Sequence, residues 1–113
     1  MRYILLFCLG LAACSRGPQT DLPTISEARS LGAEWALVNE QASQGKLTQT
    51  YSQTMRKQLR QQLQAAAKSL TRPESRYGRE VQALLAEPAD ASPAVLRAHA
   101  ATLKQIEDGL ESA

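Results

Sequence analysis

YSQTMRKQLRQQLQAAAKSL, residues 51–70, carries an apolar side chain at every third or fourth position. That spacing places the apolar side chains on one face of an α-helix. Thr48 lies just ahead as a natural helix cap, and Pro73 lies just beyond, where its ring disfavours helical geometry in the preceding residue. The sequence therefore predicts a helix from after Thr48 to before Pro73, with an apolar face formed by Tyr51, Met55, Leu59, Leu63, Ala66 and Leu70.

An earlier segment, from about Ser26 to Gln44, has the same periodicity. Ser26 is a candidate cap, and Gly45 is placed to end the helix in a left-handed conformation. Because Trp35 lies in the middle of the apolar stripe, we expect it in the core rather than exposed as a partner anchor. The stripe consists of Ile25, Ala28, Leu31, Trp35, Val38 and Ala42.

Two further helices are predicted towards the carboxyl end. One is short, has Pro73 in its first turn, and contains Tyr77, Val81, Leu84 and Leu85. The last begins at Ser92 and Pro93, since serine can cap a helix and proline fits its first position. Its stripe consists of Leu96, His99, Leu103, Ile106 and Leu110.

Composition points to the same fold class. The chain has 113 residues, only 4% of them aromatic, and is rich in alanine, leucine and glutamine, which favours helix over strand. Each predicted helix has one apolar stripe that it cannot bury alone. We therefore expect a single all-α domain over residues 25–113, a small bundle of three to four antiparallel helices.

Residues 1–14, MRYILLFCLGLAAC, have the layout of a secretory signal: one positive charge, an apolar run and a small-residue end. The run is shorter than the roughly 20 residues needed to span a bilayer. A core helix, or a plain secretory signal with an incidental cysteine, is the alternative. It explains poorly why the chain turns polar at Ser15 to Pro18.

The last four of these residues, Leu11-Ala12-Ala13-Cys14, resemble the lipobox of bacterial lipoproteins. The resemblance implies removal of residues 1–13 as a signal peptide, with diacylglycerol and an N-acyl chain attached covalently to Cys14. No other cofactor is expected. In Gram-negative members the next residue helps to choose the membrane, and Ser15 rather than aspartate implies the outer membrane, facing the periplasm.

Residues 14–24 are predicted to be the lipidated cysteine and a flexible tether, because the segment is polar and interrupted by Pro18 and Pro23. Ten extended residues reach roughly 33 Å. Cys8 would leave with the signal and Cys14 would carry lipid, so we expect no disulfide within the mature chain.

Charge is distributed unevenly. Residues 46–79 contain eight basic residues and one acid, whereas residues 80–113 contain two basic residues and six acids. The predicted second helix carries a possible site for an anionic partner on the side opposite its apolar stripe: Arg56, Lys57, Arg60 and Lys68. Phosphates of lipopolysaccharide, phospholipid headgroups or an acidic protein would suit it. The alternative is internal neutralisation by the acidic first and fourth helices.

Enzymatic function is not expected. His99 is the sole histidine, which excludes a multi-histidine metal site, and we expect it to be packed or half-buried. Glu27 and Glu34 share a helix face but are expected to be solvated. No phosphate-binding glycine loop, nucleophile elbow or metal-ligand cluster is present in the sequence.

These observations together predict a membrane-anchored periplasmic lipoprotein that acts as a non-enzymatic accessory or scaffold and binds a protein partner in the cell envelope. The alternative is a binder of anionic envelope lipid or polymer through the basic second helix. Nucleic acid is not expected, since the net charge is only +2 and no aromatic residues interleave the basic ones for base stacking.

Overall fold

The computed structural model describes residues 17–112, and the predicted signal peptide over residues 1–13 lies outside them. Over this range the chain forms four α-helices and no strand, which confirms the all-α bundle. A short 3₁₀ helix, Pro18–Asp21, precedes them. The helices are α1 (Leu22–Ser43), α2 (Gln49–Ser69), α3 (Arg76–Leu85) and α4 (Pro93–Glu111).

Three helices begin at a hydroxyl side chain that accepts a hydrogen bond from the amide three residues later. The caps are Thr48 for α2, Ser75 for α3 and Ser92 for α4, with distances of 3.1, 3.2 and 3.2 Å. Such caps satisfy amides that the first turn of a helix leaves unpaired. The predicted starts of α2 and α4 are confirmed, whereas α3 begins three residues beyond Pro73.

The first helix begins earlier than predicted. It starts at Leu22, with Pro23 in its first turn, and Ser26 does not cap it. Residues 18–24, predicted as the end of a flexible tether, are therefore helical. The physical reason is twofold: proline fits a first turn, where no amide donor is required, and the neighbouring Asp21 is 1% exposed and bonded to the rest of the domain.

Helix α1 is antiparallel to α4. Arg29 near the start of α1 bonds Glu107 near the end of α4, and Glu40 near the end of α1 bonds Arg97 near the start of α4. Gly45 follows α1 with a φ of 72°, as predicted for the residue that ends that helix. The apolar stripes meet in one core, whose largest buried members are Trp35, Ile25, Leu63, Leu84, Leu96, Leu103 and Val81.

One member of the predicted α2 stripe lies outside the core. The side chain of Tyr51 is 52% exposed, and Ser52 is buried in its place. Ser52 lies two full turns ahead of Leu59 and therefore on the same face, whereas Tyr51 is rotated away by one residue. The Ser52 hydroxyl donates to the Thr48 carbonyl, which makes its burial tolerable.

The join between α2 and α3 depends on a close approach of backbone. A β-carbon added to Gly78 would lie 2.2 Å from the carbonyl oxygen of Pro73. Only glycine leaves room for the chain to fold back here.

Within residues 17–112, no helix has both the length and the apolar content needed to cross a bilayer.

Candidate anion-binding groove

A groove of about 480 Å³ runs between α2 and the loop that joins α3 to α4. One wall is a polar face of α2, and the other includes Ala89 of the loop. Three of the four basic residues predicted as a binding site lie together in it. The wall of α2 consists of Gln53, Arg56, Lys57, Arg60, Gln61 and Gln64.

Arg56 is held in place by a buried amide. Its Nε donates to Oδ1 of Asn39, a residue of α1 that is 4% exposed, over 2.6 Å. Nδ2 of Asn39 donates to the carbonyls of Ala89 and Ala91, at 3.1 and 2.7 Å. Since two carbonyls can only be matched by the NH₂ end of the amide, its oxygen must face Arg56.

Arg60 is positioned by an aromatic ring. Its guanidinium carbon lies 5.5 Å from the centroid of the Trp35 ring, a cation–π distance. Trp35 is fully buried, as predicted, and its Nε1 donates to the carbonyl of Ala89 at 2.9 Å. The Trp35 ring therefore contacts Arg60 in the α2 wall of the groove and donates a hydrogen bond to Ala89 in the loop wall.

Trp35 and Asn39 lie one helical turn apart on α1 and connect the two walls. Both donate to the carbonyl of Ala89, and each supports one arginine of α2. The two guanidinium groups are consequently fixed before any ligand arrives, which lowers the conformational entropy lost on binding.

Direct ion pairing does not neutralise the groove. None of the ion pairs found within residues 17–112 includes any of the four basic residues predicted as a site. Arg56 bonds a neutral amide instead of a carboxylate. The ion pairs are Arg29–Glu107, Arg97–Glu40, His99–Glu80, His99–Glu87 and Lys104–Asp108.

The four basic residues were predicted to form one surface opposite the apolar stripe, and this prediction is wrong. Arg56 and Arg60 are half-buried and flank the stripe, because each lies three or four residues from a core leucine of α2. Lys57 is exposed at the rim of the groove. Lys68 lies eight residues beyond Arg60, about 12 Å along the helix, in a second cavity of about 600 Å³ near Pro73 that adjoins the groove at Gln64.

A second polar cluster surrounds His99. Its Nδ1 lies 2.5 Å from a carboxylate oxygen of Glu80, and its Nε2 lies 2.8 Å from one of Glu87. Burial by itself would lower the pKa of His99, but the hydrogen bonds and charges of the two glutamates raise it above its ordinary value. The imidazolium then donates from both nitrogens. The ring is half-buried, as predicted, and lies within an ion cluster.

This cluster does not have the geometry of a metal centre. The two carboxylates bond opposite edges of the His99 ring and so cannot converge with a free ring nitrogen on one ion. In the part of the chain that the structure describes, no three His, Cys, Asp or Glu residues are grouped to hold a metal. Glu27 and Glu34 are exposed, as expected for solvated carboxylates.

Asp21 forms a third polar cluster, at the end of the bundle where the described chain begins. Its carboxylate accepts hydrogen bonds from the amide and the hydroxyl of Thr71, at 3.0 and 2.9 Å, and from the Tyr77 hydroxyl at 2.6 Å. Burial alone would raise the pKa of Asp21, but these hydrogen bonds lower it below its ordinary value. The bonds fix the loop between α2 and α3 against the start of α1.

Sequence reasoning missed the residues that organise these clusters. Asn39 carries a readable signal, because it lies four residues after Trp35 on the face that is otherwise apolar, and a polar residue there requires partners. Asp21 carries no such signal in the sequence, since its hydrogen-bond partners lie 50 and 56 residues further along the chain.

Cys14 and Ser15, the predicted lipidation and sorting residues, lie outside residues 17–112, which are those described. Comparison of the chain with protein-family models, curated proteins and solved structures found no match.

Proposed function

We propose that the chain is the precursor of a lipid-anchored envelope protein whose helical domain is a non-enzymatic accessory or scaffold. Lipid on Cys14 would hold the domain at the periplasmic side of the outer membrane, and the domain would bind a protein partner. The lipobox-like Leu11–Cys14 segment supports the anchor. The basic groove supports the binding role.

The partner would present an acidic segment to the groove. The observation that carries this proposal is the pair Arg56 and Arg60, two half-buried guanidinium groups that are fixed by α1 and have no carboxylate partner among the described residues. Guanidinium groups form paired hydrogen bonds with carboxylates, and fixed ones do so at lower entropic cost. Three glutamine amides along the wall would bind backbone or side-chain groups beside the acids.

The second candidate is a phosphate-bearing envelope lipid or polymer bound in the same groove. Lys57 at the rim favours it, because an ammonium group beside two guanidinium groups also suits phosphate oxygens. This candidate needs the groove to reach the membrane or a polymer chain, whereas the first needs only a soluble partner segment.

A photo-crosslinking amino acid at Gln53, on the wall of the groove, separates the two candidates in intact cells. We expect a covalent adduct to one defined protein, and loss of that adduct when Arg56→Gln and Arg60→Gln are combined. The matched control removes two positive charges elsewhere, with Lys46→Gln and Arg97→Gln, and should retain the adduct. Adducts only to lipopolysaccharide or phospholipid would favour the second candidate, and adducts unchanged by the arginine substitutions would refute both.

The anchor has its own test. Cys14→Ala should leave the precursor uncleaved at its predicted site and without acyl chains, because the thiol that would accept diacylglycerol is absent; gel mobility and mass spectrometry measure both. If the variant matures to the same size and stays with membranes, the proposed anchor is wrong.

A further inference from the structure

The end of the bundle nearest Cys14 is defined by Asp21. Its hydrogen bonds to Thr71 and Tyr77 place the loop between α2 and α3 directly beside the start of the described chain. Only four residue steps separate Cys14 from Pro18, where the first helical turn begins, and these can span roughly 14 Å at most. A lipid on Cys14 would therefore hold this end close to the bilayer.

The opposite end is much further away. Helix α1 has 22 residues, which corresponds to about 33 Å, and Gly45 lies beyond its far end. The predicted ten-residue tether would have allowed either end to approach the membrane. The early start of the helical chain removes most of that freedom.

The end of the bundle near Asp21 carries a basic surface on its α2–α3 side, which we call the proximal basic surface. Its four members are exposed, and Glu74 is the one acid among residues 66–79. Arg79 also donates to the backbone carbonyl of Glu74, which orders it without neutralising its charge. The members are Lys68, Arg72, Arg76 and Arg79.

The α4 side of the same end is different. Glu107 is paired with Arg29, and Asp108 is paired with Lys104 over 2.8 Å. Glu111 is exposed with no basic partner in the described residues. This side is therefore neutral to acidic, so the two sides of one end would interact with an anionic surface in opposite ways.

We infer that the proximal basic surface lies on anionic lipid headgroups and orients the anchored domain. This inference rests on the proposed lipid anchor. A charged membrane attracts basic residues only within about one Debye length, roughly 8–10 Å, and the short connection to Cys14 allows the surface to approach the bilayer to within that range. The groove at Arg56 and Arg60 then lies further along α2, away from the bilayer and open to a partner.

The test uses the full lipidated protein in vesicles, with a fluorescent label on one introduced cysteine. Because Cys14 would carry lipid and Cys8 would be removed, that cysteine is the only free thiol. Ser69→Cys labels the end near the bilayer and Ser43→Cys labels the far end. The two sites are matched, since each serine is the exposed last residue of a helix and bonds the carbonyl three residues earlier.

The measurement is energy transfer from each label to an acceptor on the lipid headgroups. We expect more transfer from position 69 than from position 43. Adding phosphatidylglycerol to phosphatidylcholine vesicles should increase transfer from position 69, and high salt should abolish that increase. Combining Arg76→Gln with Arg79→Gln should reduce it, because two of the four basic residues are removed, whereas the pair Lys46→Gln and Arg97→Gln at the far end should not.

The outcomes distinguish the inference from the anchor on which it rests. If mass spectrometry shows diacylglycerol on Cys14 but transfer from position 69 does not respond to phosphatidylglycerol, the anchor stands and the orienting surface is refuted. An equal response in the far-end variant pair and the Arg76 and Arg79 pair would refute it as well. Absence of lipid on Cys14 would overturn both proposals.

Discussion

The carboxamide of Asn39 holds the guanidinium of Arg56 from beneath, with Nε of the arginine donating to Oδ1 over 2.6 Å. The other end of the same carboxamide donates to the carbonyls of Ala89 and Ala91. One buried side chain of α1 thus connects both walls of the groove. Its removal should therefore affect stability and the groove together.

We expect Asn39→Ala to lower the free energy of unfolding by about 1–3 kcal/mol, because it leaves the buried Ala91 carbonyl without its donor. Urea denaturation followed through the fluorescence of Trp35 measures the change. Glu34→Ala is the matched control, since Glu34 lies on the same helix and is exposed. A loss of similar size in the control would contradict the role assigned to Asn39.

Asp21 and Tyr77 should be energetically coupled. Their side chains are 2.6 Å apart and both are buried, so Tyr77→Phe leaves the carboxylate one donor short and Asp21→Asn removes its charge. We expect each substitution to cost about 1–3 kcal/mol and the double variant to cost clearly less than their sum. Urea denaturation of the native protein, the two single variants and the double variant completes this double-mutant cycle. If the two losses in free energy of unfolding simply add, the hydrogen bond between Asp21 and Tyr77 contributes nothing.

The contribution of Asp21 should also depend on pH. Its folded pKa lies below the ordinary value of 3.8, so the stabilisation is present above pH 3.8 and is lost as the pH falls through the folded pKa. We therefore expect the difference in stability between the native protein and Asp21→Asn to shrink below about pH 3.8. A difference that stays constant across that range would contradict the lowered pKa.

Gly78 and Gly109 form a matched pair of helical glycines. A β-carbon at Gly78 would meet the Pro73 carbonyl at 2.2 Å, whereas one at Gly109 would meet nothing within 4 Å. We expect Gly78→Ala to destabilise the domain by about 1–3 kcal/mol through overpacking. Gly109→Ala should instead stabilise it by about 0.5–1 kcal/mol, the helix propensity of alanine over glycine. Thermal unfolding shows whether each substitution raises or lowers the stability. If both substitutions stabilise the domain, the connection between α2 and α3 can shift to accommodate the β-carbon at position 78.

The helices were predictable because local signals specify them. Thr48, Ser92 and Gly45 act as their residue types predict, and the apolar stripes indicate the buried faces. The start of α1 was not predictable in the same way. Its first turn is stabilised by Asp21, whose partners follow α2 and lie within α3, so only the tertiary structure shows that residues 18–24 are ordered.

The groove was predictable in its residue types but not in its geometry. Charge counting found Arg56, Lys57 and Arg60, and the structure brings them together. Charge counting did not separate these three residues from Lys68. The periodic pattern of a helix shows which face a residue occupies, but it does not show which neighbouring loop lies against part of that face. The loop at Ala89 lines the groove at Arg56 and Arg60 and does not line the cavity at Lys68.

His99 should titrate above its ordinary pKa of 6.5, because the bonds and charges of Glu80 and Glu87 outweigh the effect of burial. As the only histidine, it gives an unambiguous NMR signal. Glu80→Gln should lower the measured pKa, since it removes one of the two carboxylates. The control Glu34→Gln, on an exposed carboxylate of α1, should leave it unchanged.

The raised pKa of His99 has a defined consequence for stability. A group whose folded pKa is raised contributes fully below its unfolded pKa and loses that contribution as the pH rises through the folded value. We therefore expect the domain to lose stability as the pH increases from 6.5 through the folded pKa, and His99→Gln to lack this loss. Urea denaturation over that pH range measures both proteins. If the native protein gains stability there while His99→Gln does not, the two glutamates do not hold a charged imidazole, and the His99 ring would have to be neutral in the folded protein.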